Sequence, residues 1–279
     1  MPTIQALKKQ LRGIRSTQKI AKAMKTASTV KFSKLNALYG EYSVYSKEYR
    51  ALYLEYGSEY NSCFEPKDCE APTGIIVIAA NKGMCGSFNS QLLKFADECI
   101  ANEDKPCFLI PCGKKATNHF TQRNISFEKA FIFNDIPKYS EANELFEYVI
   151  ELMNSGKISS VKIIYPKYSN MMVQTPTMCE MFAADATSKD DTVSDAPLFF
   201  PDKESVVSAT ADKLMAAFIF EKILESALGA QAATLMTMRS AYDTASEYSI
   251  QLEGEINRKR QSQVTADVIE TSAEHSQEN

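Results

Sequence analysis

The sequence predicts an α/β protein in which a long antiparallel two-helix coiled coil, drawn from the N- and C-termini, carries an inserted Rossmann-like α/β domain. Three observations lead there: a proline-free heptad pattern at each end, small residues along both patterns, and strand-like and helix-like segments alternating between them. Apolar residues make up 44% of the 279, enough to bury a core in one domain plus an extension, or in two small domains.

The first helix is expected within residues 1–62. One heptad position runs through Leu7, Ile14, Ala21, Ser28, Leu35, Tyr42, Tyr49 and Tyr56, and a second is read at Thr17, Met24, Lys31, Leu38, Tyr45 and Leu52. No proline lies between Thr3 and Phe64, and Gly13 and Gly40 are the only glycines before Gly57. A helix of roughly 55 residues at ~1.5 Å each reaches about 80 Å, beyond an ordinary globular domain.

A matching helix is expected over residues 207–270, with Leu214, Leu228, Leu235, Tyr242 and Ile256 on one position and Leu224, Met238, Ala245 and Leu252 on the other. Ala21, Ser28, Ala245 and Ser249 keep parts of the seam small, which permits close approach. Residues 271–279 read as a polar tail, so the helix is expected to fray beyond about Val268.

Residues 73–200 read as the inserted domain. The run from Ile75 to Ala80 is a buried strand by its apolar continuity, followed by a glycine-containing loop and a helix from about Ser87 to Ala101. Further strands are expected at residues 107–111, 131–133, 161–165 and 172–182, with helices at 114–122 and 141–153 between them. Strands alternating with helices imply a mostly parallel, three-layer sheet. The polar stretch 183–202, with Pro197 and Pro201, reads as the linker back to the second helix.

Charge is unevenly placed. Met1 to Gly40 holds nine Lys or Arg and no Asp or Glu, so a net −4 leaves about −13 on the remainder (−4 − 9). The basic end is suited to an acidic partner: nucleic acid, anionic lipid or an acidic protein surface. Only Phe32 and Tyr39 are aromatic there, too few for the stacking platforms of a nucleic-acid arm, so an acidic protein surface fits better. The apolar repeat runs unbroken from Ile4 past Leu35, which argues against a removable leader, and no run of about 18 apolar residues is long enough to span a bilayer.

The chemical inventory is sparse. Seven cysteines form no CxxC pair, and an odd count without a secretory signal favours reduced thiols. His119 and His275 lie too far apart in sequence to suggest a zinc site. The segment Asn81 to Ser87 joins a strand to a helix, where a phosphate could be cradled, but it carries neither a P-loop nor the dinucleotide fingerprint, so its glycines read as a tight turn. Cys85 sits near a helix start with no evident base. The expectation is a chain with no catalytic residues, cofactor, metal or direct small-molecule ligand.

Several ordered segments resemble the gamma subunit of the F-type rotary ATP synthase. They are Thr17 to Lys25 preceded by Leu11 to Ser16, Lys82 to Asn89, Tyr165 to Tyr168 with Val173 to Thr177, and Ala232-Ala233 through Met238 to Ala241 with Asn257 to Gln261. The resemblance spans essentially the whole chain. It implies a non-catalytic central-stalk rotor whose helices stand inside a hexamer of alpha and beta subunits. The lower part would dock with the epsilon subunit and the membrane c-subunit ring, and rotation would couple proton or sodium-ion flow to ATP synthesis or hydrolysis.

By the same resemblance, Lys19, Lys22, Met24 and Lys25 face acidic lever loops of the beta subunits, and Arg258, Arg260, Gln261 and Thr265 form a catch with other beta-subunit loops. Thr234 stands where many relatives carry Arg, a contact that Arg239 is placed to supply. The polar last ten residues depart from the small apolar ending common in the family. The implied location is peripheral, on the cytoplasmic face of a bacterial cell membrane. Two other classes remain open on residues alone: a coiled-coil scaffold binding nucleic acid through its basic helix, and a small α/β enzyme with helical dimerisation arms.

Overall fold

The computed structural model describes residues 3–181, 200 and 202–277. The expected linker over residues 183–202 falls almost wholly outside them. The elements are α1 (Ile4–Ser62), β1 (Thr73–Ile78), α2 (Phe88–Ala101), β2 (Cys107–Cys112), α3 (Lys114–Gln122), α4 (Tyr139–Asn154), β3 (Ser160–Tyr168), β4 (Gln174–Glu180) and α5 (Lys203–Gln277). The chain divides into two compact units, Met1–Ser28 with Leu235–Asn279 (the terminal unit) and Thr29–Thr234 (the inner unit).

In the inner unit the strand order is β2-β1-β3-β4, with β1, β2 and β3 parallel and β4 antiparallel at the edge. Successive residues of β1 face opposite ways because the side-chain period of a strand is two. Ile75 and Val77 join Leu92, Leu93 and Ala96 of α2 and Ala116 and Phe120 of α3. Ile76 and Ile78 join Leu145 and Val149 of α4, Ile219 and Ile223 of α5, and Leu35 of α1. This is the expected three-layer arrangement.

The segment 131–133 is not a strand. Phe131 makes one bridge to Cys112, its N–H donating to Pro111 O and its O accepting from Gly113 N–H. The ladder then stops because side chains take the next backbone groups: Asn81 Nδ2 donates to Phe133 O at 2.5 Å and Asn134 N–H donates to Glu141. Glu141 also accepts the Lys138 N–H, so α4 starts earlier than residue 141.

Both edge strands carry a proline, Pro111 in β2 and Pro176 in β4. Pro166 of β3 pairs only with Pro176, because β1 pairing ends at Val77 with Ile164. A proline there removes no ladder bond.

The first heptad stripe of α1 is buried or half-buried throughout, but the second is displaced. Thr17, Tyr45 and Leu52 are exposed, while the positions one residue later, Leu11, Gln18, Lys25, Phe32, Tyr39, Ser46, Tyr53 and Tyr60, are buried or partly so. Met24, Lys31 and Leu38 are partly buried on both readings. Gln18, Lys25 and Ser46 are polar, so this stripe has no continuous apolar signal. A kink at Tyr56 (φ −122°, ψ 26°) precedes Gly57-Ser58, a pair that commonly bends helices. At the other end, α5 continues to Gln277, past the expected fraying point at Val268.

Within the inner unit α1 and α5 run antiparallel: the Tyr42 hydroxyl donates to Ala217 O at 2.9 Å, and Tyr60 OH lies 3.1 Å from Thr210 Oγ1. Glu221 of α5, 4% exposed, accepts from Tyr49 OH and Arg50 Nη2, each at 2.5 Å. Burial alone would raise its carboxyl, but the Arg50 and Tyr49 hydrogen bonds and the Lys222 charge outweigh burial and hold it below the usual range. For neighbouring Glu225 burial wins and the carboxyl is pushed up, although the Tyr168 N–H donates to it.

Two predictions follow from this packing. Gly113 lies at φ +92°, and a Cβ there would fall 2.0 Å from Ala79 O. Gly113→Ala should therefore destabilise by about 3 kcal/mol or more, read as a lower urea midpoint. Glu221, with its folded pKa depressed, contributes stability above the unfolded carboxylate value of about 4.3 and loses it as pH falls through the folded value. Glu225 works in the opposite sense, its contribution being lost as pH rises through the raised folded value. Urea midpoints measured down an acid series should fall less steeply for Glu221→Gln than for the natural chain.

Candidate partner-contact site

The nine candidate contact residues, Lys19, Lys22, Met24, Lys25, Arg239, Arg258, Arg260, Gln261 and Thr265, all fall in the terminal unit. There Leu7, Leu11, Leu252 and Ile256 form a small apolar cluster with Ile4 and Ile14. Ala21, Ser28, Ala245 and Ser249 are each buried, as their small size along the seam suggests. Polar links cross the same pair: Arg15 donates to Glu253 at 2.7 Å, and Gln18 Nε2 donates to Ser246 Oγ at 2.8 Å. Arg15, Gln18, Ser246 and Glu253 were not singled out from sequence; the displaced second stripe is the signal that would have found Gln18.

Lys8, Arg12, Arg15, Lys19 and Lys22 follow a three-and-four spacing and share one exposed face of α1. Met24 and Lys25 lie nearer the seam and are half-buried, with Lys25 Nζ 5.5 Å from the Tyr242 ring centroid. Arg239 is exposed.

Beyond Ile256 every described position up to Ile269 is exposed except Lys259, which is partly buried. Arg258, Gln261 and Thr265 line one face by their spacing, while Arg260 sits about 200° around the helix from Arg258 at 3.6 residues per turn. The proposed catch set is thus divided between two faces. Thr265 Oγ1 donates back to Gln261 O at 2.9 Å. Lys19, Lys22, Arg239, Arg258 and Arg260 make no ion pair with any described residue. Thr234 belongs to the inner unit, and its hydroxyl folds back onto Ala230 O.

The loop after β1 is built as a turn. Met84 (φ 63°) and Gly86 (φ 59°) take left-handed backbone, and Asn89 ties the loop by donating to Lys82 O at 3.2 Å and to Cys85 Sγ at 3.0 Å while accepting the Ala80 N–H. Burial pushes the Cys85 thiol up, the reverse of what a nucleophile needs. His119, which with Cys85 lines an open groove of about 470 Å³, is engaged with Asp97 at 3.1 Å, as is Arg123 at 2.9 Å. Among the described residues no three His, Cys, Asp or Glu side chains group as metal ligands.

Open α/β sheets bind ligands at the carboxyl ends of strands where the strand order reverses, here between β1 and β3. Helix α5 occupies that place. Ser226 Oγ donates to Ile78 O at 3.4 Å, Glu225 accepts the Tyr168 N–H, and a Cβ on Gly229 would lie 3.2 Å from Gln174 and 3.3 Å from Phe88. The remaining cavity is about 60 Å³, far below the ~300–1,000 Å³ of small-molecule sites. Phe32 and Tyr39, the aromatics of the basic end, pack against the inner core and are not free as stacking platforms.

A family model described as ATP synthase matches residues 3–273. The chain belongs to the gamma-subunit family of the F-type ATP synthase. It is similar to the ATP synthase gamma chains of Pelotomaculum thermopropionicum (27% identical, 97% of each chain) and Fusobacterium nucleatum (29% identical, 97% of each). The fold is similar to a chain of the Euglena gracilis mitochondrial ATP synthase OSCP/F1/c-ring structure, with TM-score 0.67 at 17% identity over 98% of this chain and 93% of that one. A chain of the Tetrahymena thermophila central stalk/c-ring structure gives 0.61 at 18% identity, over 80% and 99%. Among the described residues no helix of this gamma-family chain is long and apolar enough to cross a membrane.

The thiols give a further test. Iodoacetamide should modify exposed Cys69 first and buried Cys85 and Cys112 slowest, with the order read by peptide mass spectrometry.

Proposed function

We propose that this chain is the central-stalk rotor of an F-type ATP synthase. It turns within an alpha/beta hexamer and contacts epsilon and a membrane c-ring, and it couples ion flow to ATP synthesis or hydrolysis. Family membership supports the role, and the observation that carries it to particular residues is a set of exposed cations that make no ion pair with any described residue: Lys19, Lys22, Arg239, Arg258 and Arg260. Charge-assisted hydrogen bonds from these donors to partner carboxylates are worth about 1.5–3 kcal/mol each. Contacts of that size bias an angular position without fixing it.

The chain contributes no catalytic group. A beta subunit that makes better contacts in one conformation at a given rotor angle has its nucleotide affinity shifted by the difference between the two sets of contacts. Successive angles then address successive subunits. Lys25 and Met24, held at the seam, position the exposed face of α1, and Arg258, Gln261 and Thr265 offer one donor face to a second partner loop. We place the complex on the cytoplasmic face of a bacterial membrane, in keeping with the bacterial relatives.

The purified chain should hydrolyse no ATP alone and should restore cooperative hydrolysis when mixed with alpha and beta subunits. Failure to assemble with them would overturn the rotor reading. Within an assembled complex, Arg258→Ala should slow steady-state hydrolysis roughly 5-fold without releasing the subunit, the effect of losing a contact worth about 1 kcal/mol at the rate-limiting barrier.

A further inference from the structure

Of Lys8, Arg12, Arg15, Lys19 and Lys22, which share the exposed face of α1 in the terminal unit, Arg15 alone makes an ion pair with a described residue. Its Nη2 donates to Glu253 Oε1 of α5 at 2.7 Å, and its Nη1 and Nε donate to no described residue. Ser249 Oγ lies 3.5 Å from the same Glu253 oxygen. The two side chains are 55% and 43% exposed, so a second chain can reach either of them.

The pair is not one rung of a ladder. The two helices run antiparallel in this unit, as the Arg15 to Glu253 and Gln18 to Ser246 links require. One heptad to either side of Arg15 stand Lys8 and Lys22, and one heptad to either side of Glu253 stand Arg260 and Ser246. At those levels α5 offers Lys8 another cation, and Lys22 a hydroxyl that Gln18 already occupies. Glu253 therefore neutralises one cation of the face and leaves the others to water.

An exposed ion pair is weak and readily replaced. A partner carboxylate that takes Arg15 must displace Glu253, so the net gain is the difference between two similar contacts. Lys19 and Lys22 give up only water. The guanidinium also suits a handover, because its donors form a planar fork and Nη1 and Nε are unengaged. Arg15 can bind an incoming carboxylate before Nη2 leaves Glu253.

We propose that Glu253 is an internal competitor for Arg15: it releases the cation when a partner carboxylate comes within reach and takes it back when that carboxylate moves away, which shortens the life of the contact. Glu253 is thus a positioning residue that acts only through Arg15. The inference rests on the rotor reading and adds to it a way to break one contact without leaving the cation unpaired.

Single-molecule rotation of complexes assembled from this chain with alpha and beta subunits tests it, with dwell times recorded at each angle during ATP hydrolysis. Glu253→Gln should lengthen one class of dwells roughly 2-fold to 5-fold, the change expected when an exposed ion pair no longer competes. Arg15→Gln should shorten that dwell, and Glu253→Gln added to Arg15→Gln should change nothing further. Both side chains are exposed, so the isolated variants should keep the urea midpoint of the natural chain. Dwells unchanged by Glu253→Gln in a turning complex, or lengthened as much without Arg15 as with it, overturn the competitor and leave the rotor reading standing. A natural chain that neither assembles nor turns removes the rotor reading and this inference with it.

Discussion

Desolvation of α5 is the constraint on which the inner unit depends. From Leu214 to Ala230 the helix is buried at every position, Phe218 and Ala227 only partly, because the sheet covers one side and α1 the other. A polar side chain in that stretch cannot turn to water, so Glu221, Lys222, Glu225 and Ser226 must each find a protein partner. Their partners lie on α1, on β3 and at the end of β1, so meeting this need fastens three elements together. The same enclosure fills the crevice where an α/β sheet would hold a nucleotide.

The terminal unit obeys the opposite economy. Its seam is narrow, its buried stripe is made largely of alanine, serine and a few aliphatic residues, and its cations stand in water. Exposed pairs such as Arg15 with Glu253 add little stability, about 0–1 kcal/mol. Such a surface changes partners at small cost, whereas one bonded like the inner unit would not.

Sequence legibility followed how continuous each signal was. The Leu7-to-Tyr56 stripe and the Ile75-to-Ile78 strand were readable because apolar or small residues fill every turn of their period. The second α1 stripe was read one residue early because Gln18, Lys25 and Ser46 occupy its true positions, and a polar residue buried by a cross-helix hydrogen bond looks like surface. Phe131 to Phe133 resembled a strand because side-chain competition from Asn81 and Glu141 for backbone groups is a tertiary fact. Arg50 and Glu221 carried no signal at all: a charge on a heptad flank reads as solvated until the facing helix is known. The candidate contact residues came from family resemblance; periodicity alone placed Met24 on the seam and gave no role to the rest.

The prolines on both sheet edges bear on the life of the chain before it meets any partner. An unpaired edge strand is a template on which another copy can add its own strand and start a growing aggregate. Pro111 and Pro176 each remove a donor from the outermost strands of the sheet, which makes both edges poorer templates for a second copy of a newly made chain.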